Sequence, residues 1–561
     1  MNSHKSRIIC LLLTTSLLVS TLTGCDALSS SSEPLSYEDA ITELGALTEK
    51  ISVNYVDAPL DIYSSDTSEN ITLASIDTFP LTITGNGQIN IEIAAATEMS
   101  ASAPDDWMVV VADRFNAQRY TIDGKTVSVS VRKIASGEVV TYMVNGGYRP
   151  DVYAPSVYAW GEMLKARGFN VTTLSDRIIG NTAGVLMAKE THATFIAKYG
   201  EVTVDKVLEA HLAGDLVFAY TNPFTSSTGL NTLTAMLRSF DPTNPLSAQA
   251  SEKLLEYQRR SPPVAYTTAV LRDQAAKGVI SAMVMEEQAY INTPQLSDYV
   301  YTPWGMRHDH PVYTFDYVSA ERQEAARLFV DFCLNPESQK LAEEKGFNRH
   351  NEYREQDPGL NGAGFLAAQD VWKLNKDGGR PIIAVFVADT SGSMDGAPIN
   401  SLREALVNAA GFIGSNHYVG LVSYGSRVTV NLPIGEFDDT QRAYFSGAVK
   451  SLTATGGTAT YDAVLIAIQM LLEAQENIPD AKLMLFVLSD GDQNEGYSLS
   501  RVTPLIAGLQ IPIYSIGFNI RDGSRADNEL LTLSGINEAV RLRANSDDLI
   551  NQLRNLFNVQ M

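Results

Sequence analysis

The sequence predicts an α/β protein built of two units in tandem, the second a doubly wound, Rossmann-like sheet. Three observations carry this. From residue 88 onward, short apolar runs alternate with helical stretches, the pattern of parallel strands joined by helical crossovers. Residues 382–388, IIAVFVA, are apolar without alternation, as a strand covered on both faces must be. Beyond the first two dozen residues no run is apolar enough to cross a bilayer. The chain has 561 residues, 45% of them hydrophobic, enough for separate cores in roughly two to four domains. Its net charge of -23 disfavours nucleic acid and anionic headgroups as partners and suits a protein that holds cations.

The N-terminus carries Lys5 and Arg7 ahead of an apolar run over residues 8–22, the size of a signal h-region and short for a membrane span. The run ends in Leu22-Thr23-Gly24-Cys25, which resembles the lipobox of bacterial lipoproteins. The resemblance implies a signal peptide over residues 1–24, cleavage before Cys25, and lipid on Cys25. An ordinary secretory signal or an uncleaved anchor are the alternatives. Residues 25–36, with Ser29 to Ser32, read as a flexible tether. With Cys10 in the leader and Cys25 lipidated, only Cys333 remains. It lies in a helical pattern with Ala325, Leu328, Phe329 and Phe332 and reads as a small buried hydrophobe. Residues 37–87 form a small leading segment. A helix is expected over 37–51 and short strands at ITLASI (71–76) and PLTITG (80–85), with no legible role.

The first unit spans residues 88–371. Strands are expected at 89–96, 126–134 and 151–153, helices at 106–118 and 136–145, and further strands at GVLMAK, DLVFAY and GVISAMVM. Three phrases in order, ADRFNAQ, TNPFTSSTGLNTLTAML and ARLFVDFCLNPESQKLAEEKGF, resemble the extracellular solute-binding proteins of bacterial importers. That resemblance implies a two-lobed, periplasmic-binding-protein-like domain closing on a small anionic or polar solute. Ligand groups would come from loops at the carboxyl ends of strands. The matching positions are Thr97 and Glu98, Ser156, Ser226, Ser227 and Thr228, and Glu286. The Ser-Ser-Thr group also fits plain capping of the helix it opens.

Residues 372–380 carry charges and two glycines and read as a linker. A second α/β pattern fills 381–559. The strand at 382–388 is followed by a helix with Leu402, Ala405, Leu406, Ala409 and Ile413 on one stripe. Strands follow at HYVGLVSYG, RVTVNLP, LMLFVLSD and IPIYSIGF, with helices at 461–475 and 547–558.

The first strand of this unit runs into Asp389-Thr390-Ser391-Gly392-Ser393-Met394-Asp395-Gly396. The loop lacks the second Asp of a dehalogenase-type phosphatase, the Gly-Lys-Ser/Thr of a P-loop, and the Gly-x-Ser-x-Gly frame of a nucleophile elbow. Its carboxylate and hydroxyls suit a hard divalent cation, which needs about six oxygens and so requires other loops. Thr455-Gly456-Gly457-Thr458 and Ser489-Asp490-Gly491-Asp492 are placed to contribute.

DxSxS, then GGT, then a strand-terminal Asp resembles the von Willebrand factor type A (VWA) domain and its metal-ion-dependent adhesion site. The resemblance implies that Ser391, Ser393 and Thr458 offer hydroxyls and that Asp389 and Asp490 act directly or through water. The cation would be Mg²⁺, or Mn²⁺ or Ca²⁺, with one position open for a partner's Asp or Glu. Asp395, Asp492 and Glu495 read as rim charges. Arg307-His308-Asp309-His310 contains His-x-His, but so short a signal reads as a solvated turn between strands.

The function expected is recognition by a lipid-anchored protein on the extracytoplasmic face of the cell membrane, with no enzymatic activity. The solute-binding-like unit would sit nearer the membrane and the metal-dependent unit outermost, engaging a protein partner. The alternative is a substrate-binding lipoprotein of an ABC-type importer with an accessory VWA docking domain.

Overall fold

A computed structural model describes residues 33–61, 73–260, 262–265, 268–276, 280–537, 541–544 and 549–561. The leader, Cys25 and most of the tether lie outside the described residues.

The first lobe is built on a sheet ordered Leu81–Ile83, Lys125–Lys133, Ile89–Ala95, Val152–Ala154, Val312–Phe315 and Val171–Ser175. Ile89–Ala95 runs parallel to both its neighbours, so its carboxyl end opens at the same edge as theirs. The second lobe pairs Asn181–Ala188 antiparallel with both Ala282–Glu286 and Tyr299–His308. The chain crosses between lobes after Ser175 and again between His308 and Val312. Each lobe has its own apolar core, and Cys333 is buried in that of the first, where burial pushes its thiol pKa up. DLVFAY contributes only the two-residue strand Tyr220–Thr221, and ITLASI is not a strand where described: Ile76–Thr78 is a 3-10 turn.

The C-terminal sheet is ordered Val53–Tyr55, Val428–Glu436, Tyr418–Tyr424, Ile382–Asp389, Lys482–Ser489, Ile513–Phe518 and Arg541–Ala544. Its central strand explains its own sequence. Ile382, Ala384, Phe386 and Ala388 enter one core, and Ile383, Val385 and Val387 enter the other. Strand side chains alternate, so a two-sided strand needs apolar residues throughout. The helices Ala397–Ala410, Asp439–Ser451 and Leu549–Gln560 cover one face. Thr460–Gln475, Leu499–Leu509 and Arg525–Gly535 cover the other.

The leading segment is where structure and expectation part. It is divided between the two units. The helix Tyr37–Thr48, capped by Ser36, buries Ala40, Leu44 and Leu47 in the core of the C-terminal sheet. Val53–Tyr55 then adds a parallel edge strand against Val428–Val430. Residues 57–61 cross the helix Asp439–Ser451 at Gly447, where a Cβ would run into the carbonyl oxygen of Pro59. The described residues from 73 onward join the first lobe: Leu73, Ile76 and Phe79 pack on its core, and Leu81–Ile83 pairs antiparallel with Lys125–Lys133. The solute-binding-like unit is therefore inserted between the first strand and the central strand of the C-terminal unit. The described chain begins against that unit, with the N–H of Leu35 donating to the carbonyl of Pro504 at 3.1 Å. Among the described residues the chain enters the C-terminal unit before the solute-binding-like one.

The expected linker also differs. Trp372 lies inside the helix Gly362–Asn375, fully buried, its indole N–H bonded to Tyr220 OH at 2.8 Å. Across the seam, Arg554 of the closing helix pairs with Glu138 of the first lobe, both buried. Beside them the Asn551 amide donates to Tyr142 OH at 2.8 Å.

Candidate metal centre and solute cleft

The parallel strands Ile382–Asp389 and Lys482–Ser489 end side by side, which delivers Asp389 and Asp490 to one edge. Asp389 is fully buried. It accepts bonds from the Ser391 N–H at 2.8 Å, Ser489 Oγ at 2.8 Å and Tyr424 OH at 3.3 Å. Ser391 Oγ and Ser393 Oγ lie 3.0 Å apart, and Ser393 Oγ donates to Asp490 Oδ1 at 2.9 Å. The loop of Thr458 is tied to the loop of the two serines: the Gly392 N–H donates to Gly456 O at 3.0 Å and the Thr455 N–H to Thr390 O at 2.7 Å. Thr458 itself is buried, its N–H held by Asn494 Oδ1 at 2.9 Å.

The electrostatics fit a cation. Burial raises the pKa of Asp389. Burial first, and then the charge of Asp389, push Asp490 up to about 6. Among the described residues, the bonds to these two carboxylates come from neutral donors, so their charge stays uncompensated inside the protein. Ser393 is exposed, which leaves the outer side of the site open to solvent. Glu495, expected as a rim charge, is exposed and accepts from Ser426 Oγ at 3.1 Å. A groove of about 790 Å³ runs alongside, lined by Val56 to Pro59 of the leading segment and by Thr390, Ser426, Thr455 and Gly456.

In the first unit a cavity of about 470 Å³ opens between the lobes. Thr97, Glu98, Ser156, Ser226, Ser227 and Glu286 all line it. Thr228 stands behind, fully buried, its hydroxyl bonded to Glu286. Ser226 also caps its helix, accepting from the Gly229 N–H, and Ser227 Oγ accepts from the Trp160 indole at 2.9 Å, across the lobes. Glu98 accepts from Ser156 Oγ and lies 3.1 Å from His310 Nε2.

The expectation of a solvated turn at 307–310 is overturned. His308 and His310 are both fully buried. They sit on the segment that crosses between lobes, packed under the cleft, and the short motif could not reveal that burial. Burial drives His308 down to about 3, and burial raises Glu286 to about 7, helped by the charge of Glu98. Glu98 is held near 2, because its contacts with His310 and Ser156 outweigh its burial.

Residues 96–348 match the family described as bacterial extracellular solute-binding protein, and residues 384–558 match the von Willebrand factor type A domain. Inter-alpha-trypsin inhibitor heavy chain H1 of Sus scrofa is 31% identical over 175 residues, covering 28% of this chain and 18% of the relative. The chain thus spans less than a fifth of that relative's length. Among solved structures, a von Willebrand factor type A protein from Catenulispora acidiphila aligns at 20% identity and a TM-score of 0.28, over 32% of this chain and 42% of that one. Iron-bound HitA from Pseudomonas aeruginosa aligns at 13% identity and a TM-score of 0.38, over 52% of this chain and 99% of that one. The chain joins a bacterial extracellular solute-binding domain to a C-terminal von Willebrand factor type A domain.

Proposed function

We propose that this chain is a lipid-anchored, extracytoplasmic binding protein that recognises a carboxylate-bearing protein partner through a divalent cation on its VWA domain. The observation that carries this is the meeting of three separated loops at one sheet edge, with Ser393 Oγ 2.9 Å from Asp490 Oδ1 and 3.0 Å from Ser391 Oγ. Ser391, Ser393 and Thr458 would hold Mg²⁺, with Asp389 and Asp490 ligating directly or through water. Mn²⁺ and Ca²⁺ are the other candidates for these oxygens. The bound cation would supply a Lewis-acidic position for an incoming Asp or Glu. With Asp389 and Asp490 acting through water, three neutral hydroxyls would leave the cation's charge only partly quenched at the open position, which favours an anionic partner ligand. Asp389 orients the loop through the Ser391 N–H and is itself fixed by Ser489 and Tyr424. The groove lined by residues 56–59 would receive the chain flanking that carboxylate.

The test is Mg²⁺ titration of the full chain, by calorimetry, in wild type and Asp389→Ala. Binding is expected in the wild type and lost in the variant, together with capture of a carboxylate-bearing partner. Equal Mg²⁺ affinity in both would overturn the reading.

A second reading has the polar interlobe cavity in its favour: the chain is the receptor of an importer, and the VWA domain docks a neighbour. It requires solute binding that Asp389→Ala leaves untouched.

A further inference from the structure

The floor of the interlobe cleft carries a second cluster. Glu98, Glu286 and His308 each present a ligand atom, and these atoms lie within 4.8 Å of one another. Glu98 follows a strand of the first lobe, Glu286 ends a strand of the second, and His308 ends the strand that leads into the crossing. His308 is fully buried, and among the described residues neither of its ring nitrogens has a hydrogen-bond partner. Its Nδ1 stands 4.0 Å from Glu286 Oε1. A desolvated imidazole without a partner is costly unless something fills the space beside it.

We propose that this cluster is a binding site for a divalent first-row transition cation, with Glu98, Glu286 and His308 as ligands and His310 holding Glu98 from behind. This rests on the reading that the cleft binds a solute, and it names the class of that solute. Glu98 and Glu286 bring carboxylate oxygens from opposite lobes to the floor, oxygen donors for a cation. An imidazole nitrogen beside carboxylate oxygens is the donor mixture that suits zinc-like ions and does not suit Mg²⁺. Glu98 comes from one lobe and the other two ligands from the opposite lobe. A bound cation would therefore cross-link the lobes. Around it, His310 Nε2 at 3.1 Å and Ser156 orient Glu98, while Thr228 and Thr268 orient Glu286.

The experiment is calorimetric titration of chelator-stripped full chain with Zn²⁺, in millimolar Mg²⁺ to occupy the VWA site. Wild type and Asp389→Ala should each bind one Zn²⁺ with the same affinity. Glu286→Gln and His308→Ala should weaken it by about 100-fold or more. Glu286→Gln preserves shape and the Thr228 contact, so it decides alone if His308→Ala fails to fold. Zn²⁺ bound equally by wild type and Glu286→Gln overturns the proposal. Parallel titrations with molybdate and with an alkylamine separate the two levels of the argument. If either binds the wild type in a Glu286-dependent way while Zn²⁺ does not, the cation assignment falls and the solute-binding reading stands. If none of the three binds, both fall.

Discussion

Leu44→Ala tests whether the leading helix belongs to the VWA fold. Leu44 is 4% exposed, and its neighbours in the core come from the helices Thr460–Gln475 and Leu499–Leu509, more than four hundred residues away in sequence. Truncating a buried leucine costs about 2–5 kcal/mol, and a site on a single covering helix that can partly collapse belongs near 3. A loss of about 3 kcal/mol corresponds to about a hundredfold faster exchange of amides that open only with that unit. Hydrogen–deuterium exchange read by mass spectrometry resolves the two units peptide by peptide. Peptides over Ile382–Asp389 should lose protection by that factor, while peptides over Ile89–Ala95 should not change. Ile41→Ala, on the 38% exposed face of the same helix, should leave both sets alone. Unchanged protection of Ile382–Asp389 in Leu44→Ala, or loss confined to Ile89–Ala95, would refute the placement of the helix.

Gly447→Ala should destabilise the VWA domain in thermal melts. Helix propensity alone predicts a gain of about 1 kcal/mol, but the new Cβ meets the carbonyl of Pro59, so a net gain would mean residues 57–61 do not cross there. The raised pKa of Asp490, about 6, gives a pH signature. Protonated Asp490 is favoured by the fold, so its stabilising contribution is present at low pH and is lost as pH rises through 6. Metal-free Asp490→Asn should therefore gain stability over metal-free wild type as pH rises from 5 to 7.5, a comparison that cancels His308 and the other titrating groups, and Mg²⁺ should reverse the difference. Mg²⁺ affinity should fall as pH drops through 6, and a flat affinity between pH 5 and 7.5 would contradict the assignment of Asp490. Arg554→Met leaves Glu138 buried without its guanidinium, a loss of about 3–5 kcal/mol. Exchange in peptides over Leu549–Gln560 should accelerate more than in the central strand, and unaltered exchange would show that the pair does not hold the seam.

Local pattern carried far in this chain. The unbroken apolar run at 382–388 specified a two-sided strand because pleating sends alternate residues to opposite cores. The resemblance to solute-binding proteins, together with the rule that strand carboxyl ends in α/β folds meet at a crevice, singled out Glu98, Ser156, Ser226 and Glu286, and the structure brings them around one cavity. Tertiary structure alone decided what covers each apolar face. Nothing between Tyr37 and Thr48 marks Ala40, Leu44 and Leu47 as belonging to a core formed by residues 383–533 rather than to the lobe that follows directly in sequence. The burial of His308 was equally invisible: a four-residue polar motif reads as a turn, and only the packing of two lobes across their crossing segment removes it from water. Periodicity reports the state of the backbone and the side that avoids solvent. The partner of that side is set by contacts between residues hundreds of positions apart, which no short window contains.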